Sequence, residues 1–343
     1  MDIFDYIKNN DSVLEELNTL DAIVLTRLSY LHLEDIEIMY PIKISALENY
    51  IKNIKTNHND AKLVTLLSKS KRFKDIEIKR FKHIEDNIIE EVFTGITFSL
   101  PCNTIFIAFR GTGKKPTDFK EDMNMSYRIV PSCFEGIKYI EEEKNYSKMY
   151  ISGHSKGGHI AMYSASHTTF FNRIKIIKVF NFDGPGFLDI TKELKGIQDK
   201  IINYFPESSI VGRLMNSIGQ IEVIKTEKQG IEAHSIYNWK INNNGLVKGE
   251  LTNNSNLFHE ECLSLLETIS KEKREDIINQ LFSLMLKGEL KNIKELDLVK
   301  IKDLIGSIPH LEKEEKDALI SFFKMLLKVS MPEVNPKKLI TGE

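Results

Sequence analysis

From about residue 88 the chain alternates short β-rich runs with amphipathic segments. Glu91–Leu100 and Thr104–Phe109 are dense in branched and aromatic residues, and Pro101-Cys102-Asn103 between them is a hairpin signal. Beyond them the pattern predicts a helix around Ser132–Lys144, a strand over Lys148–Ser152 and a helix from Ser155 to about Thr168. A strand over Lys175–Phe182, a helix over Phe187–Asp199 and strands over Ile201–Phe205 and Gln220–Thr226 follow. Strands alternating with helices predict an α/β fold, a mostly parallel sheet with helices on both faces. Ligands of such sheets bind at the C-terminal edge of the strands.

The flanks read differently. Residues 1 to about 85 look mainly helical, with Leu20, Ile23, Val24, Leu25, Leu28 and Leu31 at helical spacing and Asp21 as N-cap. The lysine-rich segment 52–82 reads as solvated surface with short helical patches. After about Asn256 helical spacing returns in Leu263, Leu265, Leu266 and Ile269, then in Ile277, Ile278, Leu281, Phe282, Leu284 and Met285. The last stripe is Leu319, Ile320, Phe322, Phe323, Leu326 and Leu327. It is expected to face a core, although a contact with a membrane surface fits the same spacing. The expected organisation is an α/β domain over 1–255, including the N-terminal helices, with a helical extension over 256–343 packed on it.

Composition narrows the function classes. The 343 residues are 41% hydrophobic and 28% charged, with a net charge of -2. The lysines are interleaved with acids, so nothing argues for nucleic acid. Cys102, Cys133 and Cys262 form neither a disulfide framework nor a metal-ligand spacing, and no cofactor or metal is expected. With early acids at Asp2 and Asp5, no signal-like start and no apolar run of membrane-spanning length, a cytoplasmic location is expected.

The chemistry concentrates in Gly153-His154-Ser155-Lys156-Gly157, preceded by an apolar strand and followed by an apolar helix start. A bare G-x-S-x-G arises by chance in roughly 0.1 of chains this long; the strand before and helix after make it a nucleophile elbow. Such a serine needs a base, an acid that orients the base, and donors for an oxyanion. His234, in the loop after the last sheet strand, is the leading base, with His259 in reserve; His154 and His159 read as packing or supporting groups. Two carboxylates contend for the acid. Asp183 ends a strand before Gly184-Pro185-Gly186, and Glu207 follows the next strand; the sharp turn favours Asp183. The oxyanion donors are expected from the Lys156 N–H and from Thr112, by its N–H and hydroxyl, in Arg110-Gly111-Thr112-Gly113. A phosphate-binding loop is the weaker reading of that segment, because a P-loop lysine–hydroxyl pair is missing. The Lys156 side chain could meet substrate or solvent.

These segments together resemble the Mbeg-like family of the α/β-hydrolase superfamily. The resemblance rests on Gly153-His154-Ser155-Lys156-Gly157-Gly158 and Phe182-Asp183-Gly184-Pro185-Gly186-Phe187. It continues in Phe109-Arg110-Gly111-Thr112, Lys120–Ser126, Ser208–Gly212, His234–Trp239 and, more loosely, Asp21–Leu25 with Leu28–Leu31. The family is similar to class 3 lipases, with their F-R-G-[ST] and G-H-S-x-G-G segments, which implies a triad hydrolase of an acyl ester, lipid or small molecule. One departure stands out. Class 3 lipases carry their acid in N-D-x-V-P, where this chain has Ser208-Ser209-Ile210-Val211-Gly212. Asp183 instead resembles the acid of pancreatic-type lipases. The alternative is a catalytically silent scaffold that keeps the fold for protein interaction.

Overall fold

In the strand Thr104–Phe109, Ile105, Ile107 and Phe109 enter one buried cluster while Phe106 and Ala108 enter another. Successive strand side chains leave on opposite faces, so a strand apolar throughout needs cover on both sides. The molecule is layered accordingly. The computed structural model describes residues 1–113, 116–194, 196–243, 245–286, 298–308 and 310–330. Its main sheet has eight strands in chain order: β1 (Ile42–Lys43), β2 (Glu77–Asp86), β3 (Glu91–Leu100), β4 (Thr104–Phe109), β5 (Lys148–His154), β6 (Ile176–Phe182), β7 (Ile201–Pro206) and β8 (Gln220–Ile224). Pairing is antiparallel from β1 to β4 and parallel from β4 to β8.

On one face lie the N-terminal helices α1 (Ile3–Asn9), α2 (Thr19–Leu28), α3 (Leu47–Tyr50) and α4 (His58–Leu67). Their Phe4, Ile23, Val24 and Leu63 share a cluster with Ile78, Phe106, Phe180 and Phe182. Next come α5 (Pro116–Asn124), α6 (Pro131–Glu142) and α7 (Lys156–His167). Tyr139, Ile140, Ile160 and Ala161 of α6 and α7 cover Ile105, Ile107, Met149, Ile151 and Val179 on the opposite face. The short helices α8 (Phe170–Arg173) and α9 (Ile190–Glu193) complete this part. The mostly parallel α/β sheet with helices on both faces read from the pattern is the architecture found, as is the α/β-hydrolase fold that the resemblance implies.

Three local expectations change. Within the segment read as helical and solvated, β1 and β2 join the sheet. Between Ile78 and Arg80 the register slips against Phe98 and Thr97, a β-bulge, so Ile78 and Phe81 share a face although three apart; with Ile84, which lies on the opposite face, they mimic helical spacing. The N-cap of α2 is Asn18, not Asp21; Asp21 sits three residues on and closes the reciprocal capping box. Among the described residues of Phe187–Asp199 only Ile190–Glu193 is α-helical, while Phe187, Leu194 and Ile197 are buried against the sheet. That segment therefore packs as cover on the sheet.

The C-terminal helices are α10 (Asn253–Thr268), α11 (Lys271–Leu286), α12 (Leu298–Ser307) and α13 (Lys313–Ser330). The last apolar stripe turns inward: Leu319 and Leu327 are buried, and Phe322 of α13 lies 5.7 Å from Phe258 of α10. The parts of the predicted extension at 287–297, 309 and 331–343 lie outside the described residues, as do the side chains of Leu284 and Met285. No helix among the described residues is long and apolar enough to cross a membrane.

Candidate active site

Parallel strands share an orientation, so β4 to β8 end at one edge of the sheet. The loops leaving them carry, in order, Gly111-Thr112, Ser155, Asp183, Ser209 with Gly212, and His234.

Ser155 joins β5 to α7 with φ 58° and ψ -135°. A non-glycine residue held there stores roughly 1–3 kcal/mol of strain, which the surroundings must offset. They do so through Ser155 N–H donating to the Phe182 carbonyl at 3.0 Å and Gly158 N–H donating to the Ser155 carbonyl at 2.8 Å. The bend is so tight that a methyl group on Gly153 would lie 1.9 Å from the Gly157 carbonyl oxygen. The positive end of α7 starts at the next residue.

Asp183 is fully buried, also at positive φ (49°). Its turn is built by polar residues inside apolar strands. Asn181 donates from Nδ2 to the Gly184 carbonyl (3.0 Å) and to Asn203 Oδ1 (2.8 Å), while its Oδ1 accepts from Gly184 N–H (2.9 Å). Asn203 in turn donates to the Ile218 carbonyl at 2.8 Å. Held this way, Asp183 Oδ2 lies 2.6 Å from His234 Nδ1, and Oδ1 accepts from Ser209 Oγ (2.5 Å) and Gly212 N–H (3.1 Å). A carboxylate so placed fixes the Nδ1–H tautomer of His234 and leaves Nε2 as its acceptor. The His234 loop is pinned from behind by Trp239 Nε1–H on the Ala233 carbonyl (3.0 Å) and Tyr237 Oη–H on Asp60 (2.5 Å).

The two alternatives lie elsewhere. The Glu207 carboxylate packs against Gly249, and His259 Nδ1 bonds the Arg213 carbonyl at 2.8 Å. His159, on α7, bonds the Gly186 carbonyl (2.8 Å) and stacks on Phe187 at 4.0 Å; burial lowers its pKa to about 4.

Gly111 abuts Ser155: a methyl group there would lie 2.7 Å from Ser155 Cβ. The Thr112 hydroxyl donates to the Asp122 carboxylate, which leaves the N–H, not the hydroxyl, as the donor Thr112 has to offer. Arg110 is turned away to Glu34 at 3.1 Å, where no phosphate loop would hold it. The Lys156 side chain meets neither substrate nor solvent. It is buried, donating from Nζ to Glu121 Oε2 (2.6 Å) and to the Val92 carbonyl (2.9 Å). Glu121 also accepts from Val92 N–H (3.0 Å) and Ser132 N–H (3.2 Å). Burial alone would discharge this lysine, but the negative charges of Glu121, Asp122 and Asp118 outweigh it and raise the pKa. Asp122 goes the other way: burial pushes its carboxyl up to about 7, against the Lys156 charge. Adjacent acids on α5 thus brace the Thr112 loop and the Lys156 side of the elbow together.

Sequence reasoning missed Asn181, Asn203, Ser209, Glu121 and Tyr30. The asparagines did carry a signal, single amides inside the apolar runs Phe180–Phe182 and Ile202–Tyr204.

The sheet and its loops define a hydrolase-like α/β fold. The chain belongs to the Mbeg1-like family, which it matches over residues 67–283, more than half its length. It is also similar to a solved structure, the crystal structure of M37 lipase, at 17% identity over 57% of this chain and 68% of that one, with a TM-score of 0.34. No curated protein shows significant sequence similarity to it.

Proposed function

We propose that this protein is a serine hydrolase acting on an acyl ester, of a lipid or of a small molecule, without a cofactor. Ser155 is the nucleophile. His234 takes its proton at Nε2 as Oγ attacks the ester carbonyl, then returns a proton to the leaving alcohol. Asp183 holds the imidazole and stabilises the imidazolium formed in the attack. The backbone N–H groups of Thr112 and Lys156 stabilise the oxyanion, each worth roughly 3 kcal/mol in the transition state. Water then repeats the sequence on the acyl-enzyme.

The observation that carries this reading is the 2.6 Å bond between buried Asp183 and His234, at the edge where Ser155 sits at positive φ. It also weakens the scaffold alternative, which the lysine-rich helical additions and the missing class 3 acid motivate, by offering another acid. A fluorophosphonate probe is expected to label the protein, and Ser155→Ala is expected to abolish labelling while retaining the fold. Absence of labelling, together with no hydrolysis of short p-nitrophenyl esters, would refute the proposal.

A further inference from the structure

Tyr30, two residues past α2, reaches from the N-terminal layer into the catalytic edge. Its hydroxyl lies 2.7 Å from His154 Nδ1 and accepts from Gly111 N–H at 3.2 Å. His154 Nε2 lies 2.8 Å from the carbonyl oxygen of His234. The protons along this path follow by elimination. A carbonyl only accepts, so His154 Nε2 carries a proton. Burial and the facing His234 ring, 4.5 Å away, keep the His154 pKa well below the ordinary histidine value, so its ring is neutral and Nδ1 is bare. The Tyr30 hydroxyl has two acceptors in reach, this bare Nδ1 at 2.7 Å and the His154 carbonyl at 3.3 Å; the shorter contact takes its proton, and its lone pair takes the Gly111 N–H.

Each segment joined in this way bears one part of the proposed chemistry. Gly111 precedes Thr112 in the oxyanion loop, His154 precedes Ser155, and the His234 carbonyl belongs to the base itself. Tyr30 is in turn clamped: the Arg27 guanidinium lies 4.1 Å over its ring and bonds Asp60 at 2.7 and 2.8 Å. Asp60 also accepts from Tyr237, three residues past the base. Both nitrogens of this buried imidazole and both roles of the hydroxyl are thus satisfied by partners on the three loops that carry the proposed chemistry, which ties those loops to one another.

We propose that Tyr30 and His154 are positioning residues, a hydrogen-bond relay that holds the oxyanion loop, the elbow serine and the base in register. The proposal rests on the reading of Ser155 and His234 as nucleophile and base. It also assigns the N-terminal segment, which precedes the family match at residue 67, a share in catalysis.

The test compares wild type, Tyr30→Phe and His154→Gln by the rate of fluorophosphonate labelling, by p-nitrophenyl butyrate kinetics and by nitrogen NMR of the histidine rings. Tyr30→Phe keeps the ring under Arg27 and deletes only the hydroxyl. It should lower kcat and the labelling rate about tenfold or more, with KM within about twofold, since small misplacements of reacting groups act on the chemical step. The wild-type spectrum should show His154 protonated at Nε2 with a hydrogen-bonded, bare Nδ1, and that Nδ1 signal should move in Tyr30→Phe. His154→Gln keeps an amide donor and an amide oxygen but loses the rigid ring that fixes donor and acceptor in place between His234 and Tyr30, and should lose activity in the same way. If Tyr30→Phe does not fold, His154→Gln and the wild-type spectrum decide. Wild-type rates in the folded variants, a loss confined to KM, or a wild-type His154 protonated at Nδ1 would overturn the relay. A wild type that never labels overturns the nucleophile assignment and the relay's purpose with it, leaving a distinct record: an intact His154 spectrum without chemistry.

Discussion

Replacing Asp183 with asparagine removes one charge and almost no volume, and the contacts on Oδ1 determine what happens next. Gly212 N–H donates to that oxygen at 3.1 Å and Ser209 Oγ lies 2.5 Å from it, so the asparagine carbonyl oxygen is held on that side. The new amide NH2 then occupies the position of Oδ2, 2.6 Å from His234 Nδ1. An NH2 group only donates, so His234 must bare Nδ1 and carry its proton on Nε2. That is the tautomer that cannot accept a proton from Ser155. A base held in the wrong tautomer costs about 10⁴-fold in kcat, equivalent to ~5.5 kcal/mol at 1.36 kcal/mol per tenfold. Steady-state hydrolysis of p-nitrophenyl butyrate measures it, with Glu207→Gln as comparator. Asp183→Asn should fall by three to four orders of magnitude and Glu207→Gln should stay within about twofold. Activity of Asp183→Asn within about tenfold of wild type, or an equal loss in Glu207→Gln, would refute the reasoning.

The buried pair of Lys156 and Glu121 makes a stability prediction. Glu121→Gln strands an ammonium whose side chain is 1% exposed, which should destabilise the protein by about 3–5 kcal/mol and lower Tm by on the order of 10 °C in a thermal melt; an unchanged Tm would show that the pair is not coupled as described. Asp122 predicts a pH dependence. Its carboxyl titrates near 7 when folded, against about 3.9 unfolded, so the folded state binds the extra proton between those values. Its contribution to stability is complete below about pH 4 and is lost as pH rises toward about 7. Urea midpoints across that window should therefore fall more steeply for wild type than for Asp122→Asn, and parallel curves would contradict the burial-raised carboxyl.

Much of the site was legible because elbows and turns are local. Glycines around a serine, between an apolar strand and an apolar helix, specify Ser155 within a few residues of chain, and Gly184-Pro185-Gly186 after a strand marks Asp183 as a loop carboxylate. The Lys156 side chain was not legible. Whether an ammonium beside Ser155 faces water or a carboxylate depends on Glu121, 35 residues away along the chain. β2 escaped for a local reason with a tertiary cause: the bulge at Lys79 breaks the two-residue period, and only the partner strand β3 makes it a strand.

The chain by itself determined the order of the strands from β3 to β8, the strained serine, and a short set of candidates for its base and acid. These follow from periodicity and from residues whose backbone freedom or bulk acts on near neighbours. The choice among the candidates belonged to the tertiary structure. Which carboxylate meets His234 is set by the parallel register that brings the ends of β6, β7 and β8 together, and by Ser209, Gly212 and an asparagine ladder closing around Asp183. Tyr30 enters the site from the turn after α2 in the covering layer for the same reason. A hydrogen bond needs atoms within about 3 Å, and no spacing along a chain encodes that distance between segments more than a hundred residues apart.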